Sequence, residues 1–462
     1  MKIRALTSLA ALTAGLAFTQ GASAQTPWYV QGDWSPVQRV AIKLVNDLDV
    51  DRKNNPVIIT RQQLAGILPD LHELSYTVVD PTLQGRPQPS VAHLAVQGGH
   101  EIRAETNGRW VHYQFDDLDK DGLWDELFFM TDLKAKEIRT VYIYLGHQDR
   151  GWNAHATHAN IGSYMRHQVP FWESENVGWK LWYPTDIDVY GKRTPQLMSR
   201  RLYMENMDGY GVGQVDQGLG SDIMDVADSM GGGGVAMFDD PADPKAVSRP
   251  RFTPKHLGKT RFNAGSGTDT RFAFEVVTNG PARSIIRIKT MNWDTGHGRY
   301  ALSQEYTAYA GENFTTARVK IDQFDSKTPG AALGVGVRKR PNEKFLVQKG
   351  GTVITAAPEA IRNPDDRESF QTDLMVEYAG TALVVKDAAK ATYVFSPERQ
   401  GNHLFKMPRT SDDRYEYLLA AGWSEGAVLK TQEAFADYVA VKAREYNSPI
   451  RFGGAALESK AN

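Results

Sequence analysis

The stretch from Arg271 to Phe324 reads RFAFEVVTNGPARSIIRIKTMNWDTGHGRYALSQEYTAYAGENFTTARVKIDQF. It contains four successive runs rich in β-branched and aromatic residues, at 271–277, 282–291, 300–310 and 314–324. Turn residues punctuate these runs at Asn279-Gly280-Pro281 and at Gly311-Glu312-Asn313. Runs of this length and composition, bounded by turn residues, predict strands that pair with their neighbours along the chain. The stretch therefore predicts an antiparallel meander in a mainly β protein.

Shorter strand-like runs lie on both sides of the meander. They occupy 74–79, 110–115, 127–130 and 140–145 before it, and 333–337, 351–355, 374–378, 381–385 and 391–395 after it. The polar, poorly periodic residues 146–165 predict a connection between two parts of the chain. We therefore predict a small N-terminal β region at 25–150 and a larger antiparallel β region at 151–450.

Two helices are predicted from their capping signals. Thr60 and Gln63 form a T-x-x-Q capping box at the start of a short helix. One longer helix closes the chain, because Thr431 can cap it, Glu433 suits its first turn and Asn447 can end it. Residues 451–462 are predicted to be a tail.

The N-terminus has the pattern of a secretory signal peptide. Lys2 and Arg4 precede an apolar run at 5–18, and Ala22-Ser23-Ala24 fits a cleavage site. We expect residues 1–24 to be removed and the mature protein to be periplasmic or secreted. No other run reaches the roughly 18 apolar residues of a membrane span, so no membrane span is expected.

Composition excludes several classes of function. The formal net charge is −2, so nucleic acid is not an expected partner. The chain has no Cys, which excludes thiol nucleophiles and thiolate metal sites. It also has no P-loop, dinucleotide fingerprint or G-x-S-x-G elbow, so no organic cofactor is expected. The oligomeric state is left open.

The segment DLDKDGLWD at 117–125 predicts a metal site. Its carboxylates at positions 1, 3, 5 and 9 can converge on one hard cation, and Gly122 at position 6 allows the turn. A structural calcium ion is expected, although an acidic hairpin turn is the alternative. The predicted ligands are Asp117, Asp119, Asp121, the Leu123 carbonyl and Asp125.

The segment FWESENVGWKLWYPTDIDVYGKR at 171–193 mixes large rings with ions. Aromatic faces beside hydrogen-bonding charges suit a sugar ring, so Trp172 and Trp182 are candidates for stacking on a carbohydrate. The alternative is a half-buried strand at 177–183 whose rings alternate into two layers. Both interpretations can hold together.

Further side chains are candidates for substrate contacts. Glu173 and Glu175 share one face of the predicted strand and can act as paired carboxyl groups or bind neighbouring cations. His297 and Arg299 lie in one short motif, and Arg338 follows a predicted strand end where it can bind an anion or simply be solvated.

Three motifs resemble the bacterial domain-of-unknown-function family 4861. They are the 172–193 segment, DLDKDGLWDEL at 117–127, and Gly280-Pro-Ala-Arg283 followed by Tyr309-Ala-Gly311. The resemblance covers about residues 35 to 445. It implies a galactose-mutarotase-like β-supersandwich and a place in polysaccharide degradation, with an anionic oligosaccharide as the partner.

Some members of this family are similar to oligosaccharide dehydratases. The resemblance therefore implies β-elimination of water from a non-reducing-end uronic acid, which gives a 4,5-unsaturated uronate. His167 or Tyr190 would then transfer protons, and Lys192, Arg193 or Arg338 would neutralise the substrate carboxylate. The alternatives are a glycoside hydrolase or sugar epimerase that uses Glu173 and Glu175, and a non-catalytic carbohydrate-binding protein.

Overall fold

A computed structural model gives the architecture of the chain. It describes residues 26–67, 76–88, 90, 96–97, 100–101, 103–146, 154–164, 167–182, 186–199, 215–216, 218–226, 229–250, 270–363, 365–366, 372–386, 390–397 and 401–460. Within these residues the regular secondary structure consists mainly of antiparallel strands. None of the helices described is long and apolar enough to cross a membrane.

The N-terminal part contains eleven strands and a short helix α1 (Arg61–Leu64). The strands are β1 (Val30–Gln31), β2 (Gln38–Val45), β3 (Arg52–Thr60), β4 (Tyr76–Asp80), β5 (Val96–Gln97), β6 (His100–Glu101), β7 (Glu105–Thr106), β8 (Arg109–Trp110), β9 (Tyr113–Asp116), β10 (Glu126–Leu133) and β11 (Ile138–Leu145).

The remaining strands, with helix α2 (Gln432–Asn447), follow from residue 157. They are β12 (Thr157–Tyr164), β13 (His167–Ser174), β14 (Val177–Trp182), β15 (Asp186–Lys192), β16 (Val215–Asp216), β17 (Gly220–Asp222), β18 (Gly234–Phe238), β19 (Arg271–Asn279), β20 (Arg283–Asp294), β21 (Gly298–Tyr309), β22 (Phe314–Ser326), β23 (Ala332–Arg338), β24 (Phe345–Lys349), β25 (Thr352–Arg362), β26 (Asp373–Val385), β27 (Thr392–Ser396), β28 (Asn402–Met407), β29 (Arg414–Trp423) and β30 (Arg451–Ser459).

The predicted meander is confirmed as strands β19 to β22. They pair in sequence order and begin an eight-stranded sheet with the order β19-β20-β21-β22-β29-β26-β25-β24. A six-stranded sheet (β12-β13-β14-β15-β17-β16) and a four-stranded sheet (β18-β23-β28-β27) complete the large region. Residues from all three sheets, such as Trp179, Leu302 and Val335, belong to one buried core. This layering is the predicted antiparallel β-supersandwich.

Two expectations for the chain's segments need correction. Thr157–Tyr164 is strand β12, although its polar residues predicted a connection, because Ala159 enters the core while Thr157 bonds the Gly280 carbonyl at 2.9 Å. The expected tail contains β30, which pairs with β2. Phe452 and Ala455 pack against the N-terminal core there, so burial of apolar surface holds the segment in place.

Both predicted helix starts are confirmed. At α1, the Thr60 hydroxyl accepts the Gln63 N–H at 3.2 Å, and the Gln63 side chain accepts the Thr60 N–H at 2.8 Å. At α2, the Thr431 hydroxyl accepts the N–H of Ala434 at 3.1 Å. Each bond gives a partner to a backbone N–H group at the helix start, where the helix itself provides no acceptor.

A buried arginine joins the N-terminal sheets to the supersandwich. Arg283 on β20 donates to Asp116 at 2.7 Å and to Glu126 at 2.8 Å. Burial favours the neutral guanidinium, but attraction from these two carboxylates outweighs it and raises the pKa of Arg283. The Gln114 side chain also accepts the backbone N–H of Arg283 at 2.9 Å. These contacts fix the position of strand β9 against strand β20.

We predict that Trp172→Ala will lower the free energy of unfolding by about 3–5 kcal/mol, because it leaves a large cavity. The Trp172 ring has no exposed surface, stacks on Tyr306 at 4.7 Å and donates to Thr315 at 3.0 Å. Urea unfolding measures the change. Met375→Ala, at a side chain that is 68% exposed, is the control and should change stability little. Equal stabilities for the two variants would contradict the core assignment.

Candidate functional site

Strands β14 and β15 position the candidate site, because successive side chains along a strand point to opposite faces of the sheet. Trp179 and Val189 point into the supersandwich core. Their neighbours Lys180 and Asp188 are directly paired across the two strands and therefore lie on the opposite face of the sheet. That face is not solvated: Lys180 is 7% exposed and Asp188 is 4% exposed. Burial of this pair of opposite charges makes the region a candidate functional site.

A cavity of about 350 Å³ opens beside this pair, and we call it the acidic cleft. One wall comes from β14, β15 and the segment after β17, and the other comes from β25 and the start of β26. The side chains that define its chemistry are Trp182, Asp188, Asp222, Asp225, Glu359, Arg362 and Asp373. The cleft therefore lies where the six-stranded and eight-stranded sheets approach each other.

Lys180 bridges two carboxyl groups of the acidic cleft. Its ammonium lies 3.0 Å from Asp188 and 3.1 Å from Asp222. Burial, together with repulsion from Asp222, raises the pKa of Asp188 well above the usual range of an aspartate, although Lys180 opposes the shift. A hydrogen bond between the two carboxyl groups adds to this effect. The pair can hold one proton between an acid and a base.

Trp182 is the aromatic side chain of the acidic cleft. It lines the cavity with 8% of its surface exposed, and the Lys180 ammonium lies 5.3 Å from its ring centroid. The structure thus brings this predicted stacking residue next to the carboxyl pair. Arg362, whose side chain is 37% exposed, lines the same cavity and pairs with Asp373 at 3.5 Å.

Arg338 lies behind the cleft wall and not inside the cleft. Its guanidinium donates to Glu359 at 2.6 Å, and Arg340 donates to the other oxygen of Glu359 at 2.7 Å. Arg340 also donates to the Ile223 carbonyl at 2.8 Å, next to Asp222. Both arginines have no exposed surface. The prediction that Arg338 binds a substrate carboxylate therefore needs correction, because its side chain has no exposed surface and does not line the cleft.

Four other predicted residues are enclosed in the protein. Trp172 is a core residue, and Tyr190 is 1% exposed in a cluster with Phe171, Met198 and Leu219. Glu173 and Lys192 form a buried ion pair, and Glu173 also accepts the Ser199 N–H at 2.8 Å. Burial lowers the pKa of Lys192 against the attraction of Glu173. Because substrate contact requires access, we assign these four side chains to the framework of the fold.

The remaining predicted residues lie apart from the cleft lining. Arg193 pairs with Asp365 at 2.8 Å and Glu425 at 3.2 Å, and Glu175 accepts the Gly311 N–H at 2.9 Å. Side chains of the β20–β21 hairpin bind acids of their own: His297 lies 3.9 Å from Asp240, and Arg299 lies 3.3 Å from Asp294. His167 begins β13, but its side chain is outside the part of the chain that the structure describes.

Sequence reasoning missed most of the acidic cleft. Lys180 and Asp188 stand in the aromatic segment but look like ordinary surface ions there. Their signal is that opposite charges stand at paired positions in two strands that are rich in apolar and aromatic residues. Glu359 gives a similar signal, because it is a lone acid in the run VITAAPEAIR. Arg362 and Asp373 give no local signal, since the sheet topology alone brings them to the cleft.

The predicted calcium loop brings three of its acids together. Oxygen atoms of Asp117, Asp119 and Asp125 lie within 4.8 Å of one another. Gly122 has a φ of 87°, a left-handed conformation that suits glycine at the turn. The Asp121 side chain instead accepts the Leu123 N–H at 2.8 Å. Oxygen donors of this kind suit a hard cation, so Asp117, Asp119 and Asp125 would hold calcium, which stays a prediction.

We predict that chelation will lower the melting temperature by about a few degrees, because a ligand bound only by the folded state stabilises that state. Asp119→Ala should abolish the difference between calcium-loaded and chelated protein. Differential scanning fluorimetry measures both effects, with Asp243→Ala on an exposed loop as the control. Identical melting curves for wild type with calcium and with chelator would contradict the calcium site.

We also predict that Asp188→Asn will flatten the pH dependence of stability. Between the ordinary aspartate pKa of about 3.9 and the raised pKa of Asp188, the folded state binds a proton that the unfolded chain lacks. Stability therefore falls as pH rises through this window. Urea unfolding at several pH values measures the slope, with Asp243→Asn as the control. Equal slopes in the two variants would argue against a buried, protonated Asp188.

Two solved structures resemble this chain distantly. One is a protein in the glycosyl hydrolase family 38 from Enterococcus faecalis, with a TM-score of 0.44 and 10% identity over 92% of this chain and 48% of that chain. The other is an alpha-mannosidase from Enterococcus faecalis V583, with a TM-score of 0.43 and 12% identity over 92% of this chain and 46% of that chain. The chain spans about half the length of each protein. Similarity this weak supports no inference about activity.

Comparison with protein families is more informative. No curated protein sequence matches the chain. The family described as Domain of unknown function (DUF4861) matches residues 44–452, which include the calcium-type loop, the aromatic segment and the meander. The resemblance inferred from these motifs is thereby confirmed, and the chain belongs to the DUF4861 family.

Proposed function

We propose that this protein is a carbohydrate-active enzyme that eliminates water from a uronic acid unit of an oligosaccharide in the acidic cleft. The observation that carries the proposal is the carboxyl pair Asp188 and Asp222, bridged by Lys180 beside the Trp182 ring. It combines a proton donor, a proton acceptor and an aromatic surface in one cavity. These are the groups that proton transfer on a bound sugar requires.

β-Elimination would use the pair as acid and base. Asp222 accepts the proton from C5, and the electron pair of that C–H bond forms the C4–C5 double bond. The C4–O bond breaks, and the leaving oxygen takes its electron pair together with the proton of Asp188, so that water departs. Asp222 then carries a proton and Asp188 does not. Transfer of that proton across their hydrogen bond restores the starting state.

Arg362 is the group best suited to the substrate carboxylate. Removal of the C5 proton places negative charge on the carboxylate, and a nearby guanidinium lowers the energy of that charge. Arg362 lines the cavity and is partly exposed, whereas Arg338 and Arg340 are enclosed behind Glu359. Trp182 would hold the apolar face of the sugar ring.

Hydrolysis by the same pair is the second candidate. Retaining glycosidases separate their carboxyl groups by about 5–5.5 Å, and inverting enzymes separate them by about 6.5–9.5 Å. Here the carboxyl groups hydrogen-bond each other and share one ammonium. Direct contact of this kind favours a shared proton over the placement of a glycosidic bond between the two groups. Glu173 and Glu175, the earlier candidates for hydrolysis, do not line the cleft.

We further propose that the protein works in the periplasm or outside the cell. The leader-like residues 1–24 support this proposal. Calcium at the 117–125 loop would stabilise the protein and take no part in the reaction. The loop contacts the supersandwich through Arg287, which donates to the Leu118 carbonyl at 2.7 Å.

We predict that Asp188→Asn and Asp222→Asn will each reduce turnover of uronate oligosaccharides by about 10²–10⁴-fold, because each variant removes a proton-transfer group. Ultraviolet absorbance of the conjugated product and mass spectrometry for loss of one water measure the reaction. Asp243→Asn should keep full activity. Gain of one water would favour hydrolysis, and an unchanged mass with an inverted sugar centre would favour epimerisation.

Binding tests separate this proposal from a non-catalytic role. Trp182→Ala should weaken oligosaccharide binding by about 1–3 kcal/mol, through loss of stacking area. Asp188→Asn should bind oligosaccharide nearly as well as the wild type while it loses turnover, because it acts mainly on the transition state. If both aspartate variants keep full turnover, the acidic cleft is not the reaction site.

A further inference from the structure

A second cavity lies at the junction of the N-terminal sheets, the supersandwich and helix α2. It has a volume of about 280 Å³, and we call it the junction cavity. Pro56 and Ile58 on β3 form one wall, Phe314 and Leu418 from the eight-stranded sheet form the second, and Tyr446 of α2 forms the third. Three parts of the protein thus enclose one space that does not overlap the acidic cleft.

Aromatic rings provide much of this wall. Tyr309 and Phe314 are almost fully buried, and their ring centroids lie 5.2 Å apart. Tyr446 lies opposite them on the helix, and the ammonium of Lys386 lies 5.7 Å from its ring centroid. Ligand cavities in proteins are generally apolar and aromatic with a few placed polar groups. The junction cavity has this composition, and its size suits a ligand of about one ring.

Charged side chains of both signs line part of the junction cavity. Its wall includes three cations, Arg318, Lys386 and Lys442, and two acids, Glu416 and Glu445. Lys442 binds Glu312 at 3.0 Å and Glu445 at 3.1 Å, and Lys386 binds Glu416. The acids on the wall therefore contact lysines, and Arg318 forms a hydrogen bond to neither of them.

Arg318 is the wall cation whose guanidinium makes no hydrogen bond within the described residues. Its guanidinium lies 3.8 Å from both Glu126 and Glu416, beyond hydrogen-bonding distance, and its side chain is 45% exposed. Within the described part of the chain, these two long contacts are its ion pairs. A planar guanidinium with open donors at the edge of an aromatic cavity is suited to bidentate binding of a carboxylate.

We propose that the junction cavity is a second binding site, for a small ring-bearing carboxylate. Arg318 binds the carboxylate group, and Tyr309, Phe314 and Tyr446 pack on the ring. A uronic acid unit and a free aromatic acid share this chemistry. The site is independent of the reaction in the acidic cleft, and a ligand there would tie the N-terminal sheets to the supersandwich.

Equilibrium binding of two acids to the mature protein tests the proposal. Galacturonate and benzoate serve as probes, with galactose and benzyl alcohol as their neutral counterparts, and saturation-transfer NMR with titration reports binding. Arg318→Ala should weaken binding of an acid by about tenfold or more, through loss of a charge-assisted pair. Arg409→Ala, at an exposed arginine that pairs with Asp413, is the matched control and should bind like the wild type.

The outcomes separate this site from the acidic cleft. Binding that Arg318→Ala weakens and Arg362→Ala leaves intact supports the junction cavity, and the acid that binds identifies the ligand as a sugar acid or an aromatic acid. Tyr446→Leu should weaken the same binding without loss of the folded state, as checked by circular dichroism. Failure of both acids to bind, equal binding of their neutral counterparts, or binding unaffected by Arg318→Ala would overturn the proposal.

Discussion

The two-residue period of strands β14 and β15 is the constraint on which the fold and the candidate site both depend. In a strand, successive side chains must point to opposite faces. One set, including Trp179 and Ile187, fills the core between the sheets. The other set, including Lys180 and Asp188, forms a charged layer on the far face. Because that layer is also buried, its charges must neutralise each other or share protons, and the contacts of Lys180 with Asp188 and Asp222 meet this requirement.

Two groups of buried charged side chains on the far face differ in how their charges are balanced. Glu173 receives an ammonium and backbone N–H groups, so its charge is satisfied and the pair is inert. Asp188 shares one ammonium with Asp222, so two acids compete for one cation. Burial, together with repulsion from Asp222, therefore raises the pKa of Asp188 and favours a proton on that carboxyl group. Proximity to the cavity then makes this proton available to a ligand.

Local sequence patterns predicted the architecture better than the site. The meander at 271–324 and the caps at Thr60 and Thr431 depend on residues close together in the chain, and the structure confirms them. Strand β30 was missed because its partner β2 lies about 400 residues away, and only that pairing gives Phe452 an apolar contact. Trp172 was read as a sugar platform because sequence alone cannot tell which face of a strand meets the second sheet.

The acidic cleft could not be derived from any single segment, since its two walls come from different sheets. Asp188 and Asp222 belong to the six-stranded sheet, whereas Arg362 and Asp373 belong to adjacent strands of the eight-stranded sheet. Arg340 links the walls, because it binds Glu359 on one side and the Ile223 carbonyl on the other. Packing of the two sheets therefore assembles the cleft, and Arg340 contacts both of its walls. The cleft is thus a property of how the layers meet, and the aromatic segment alone could not show that Trp182 lines a cavity whereas Trp172 is fully enclosed.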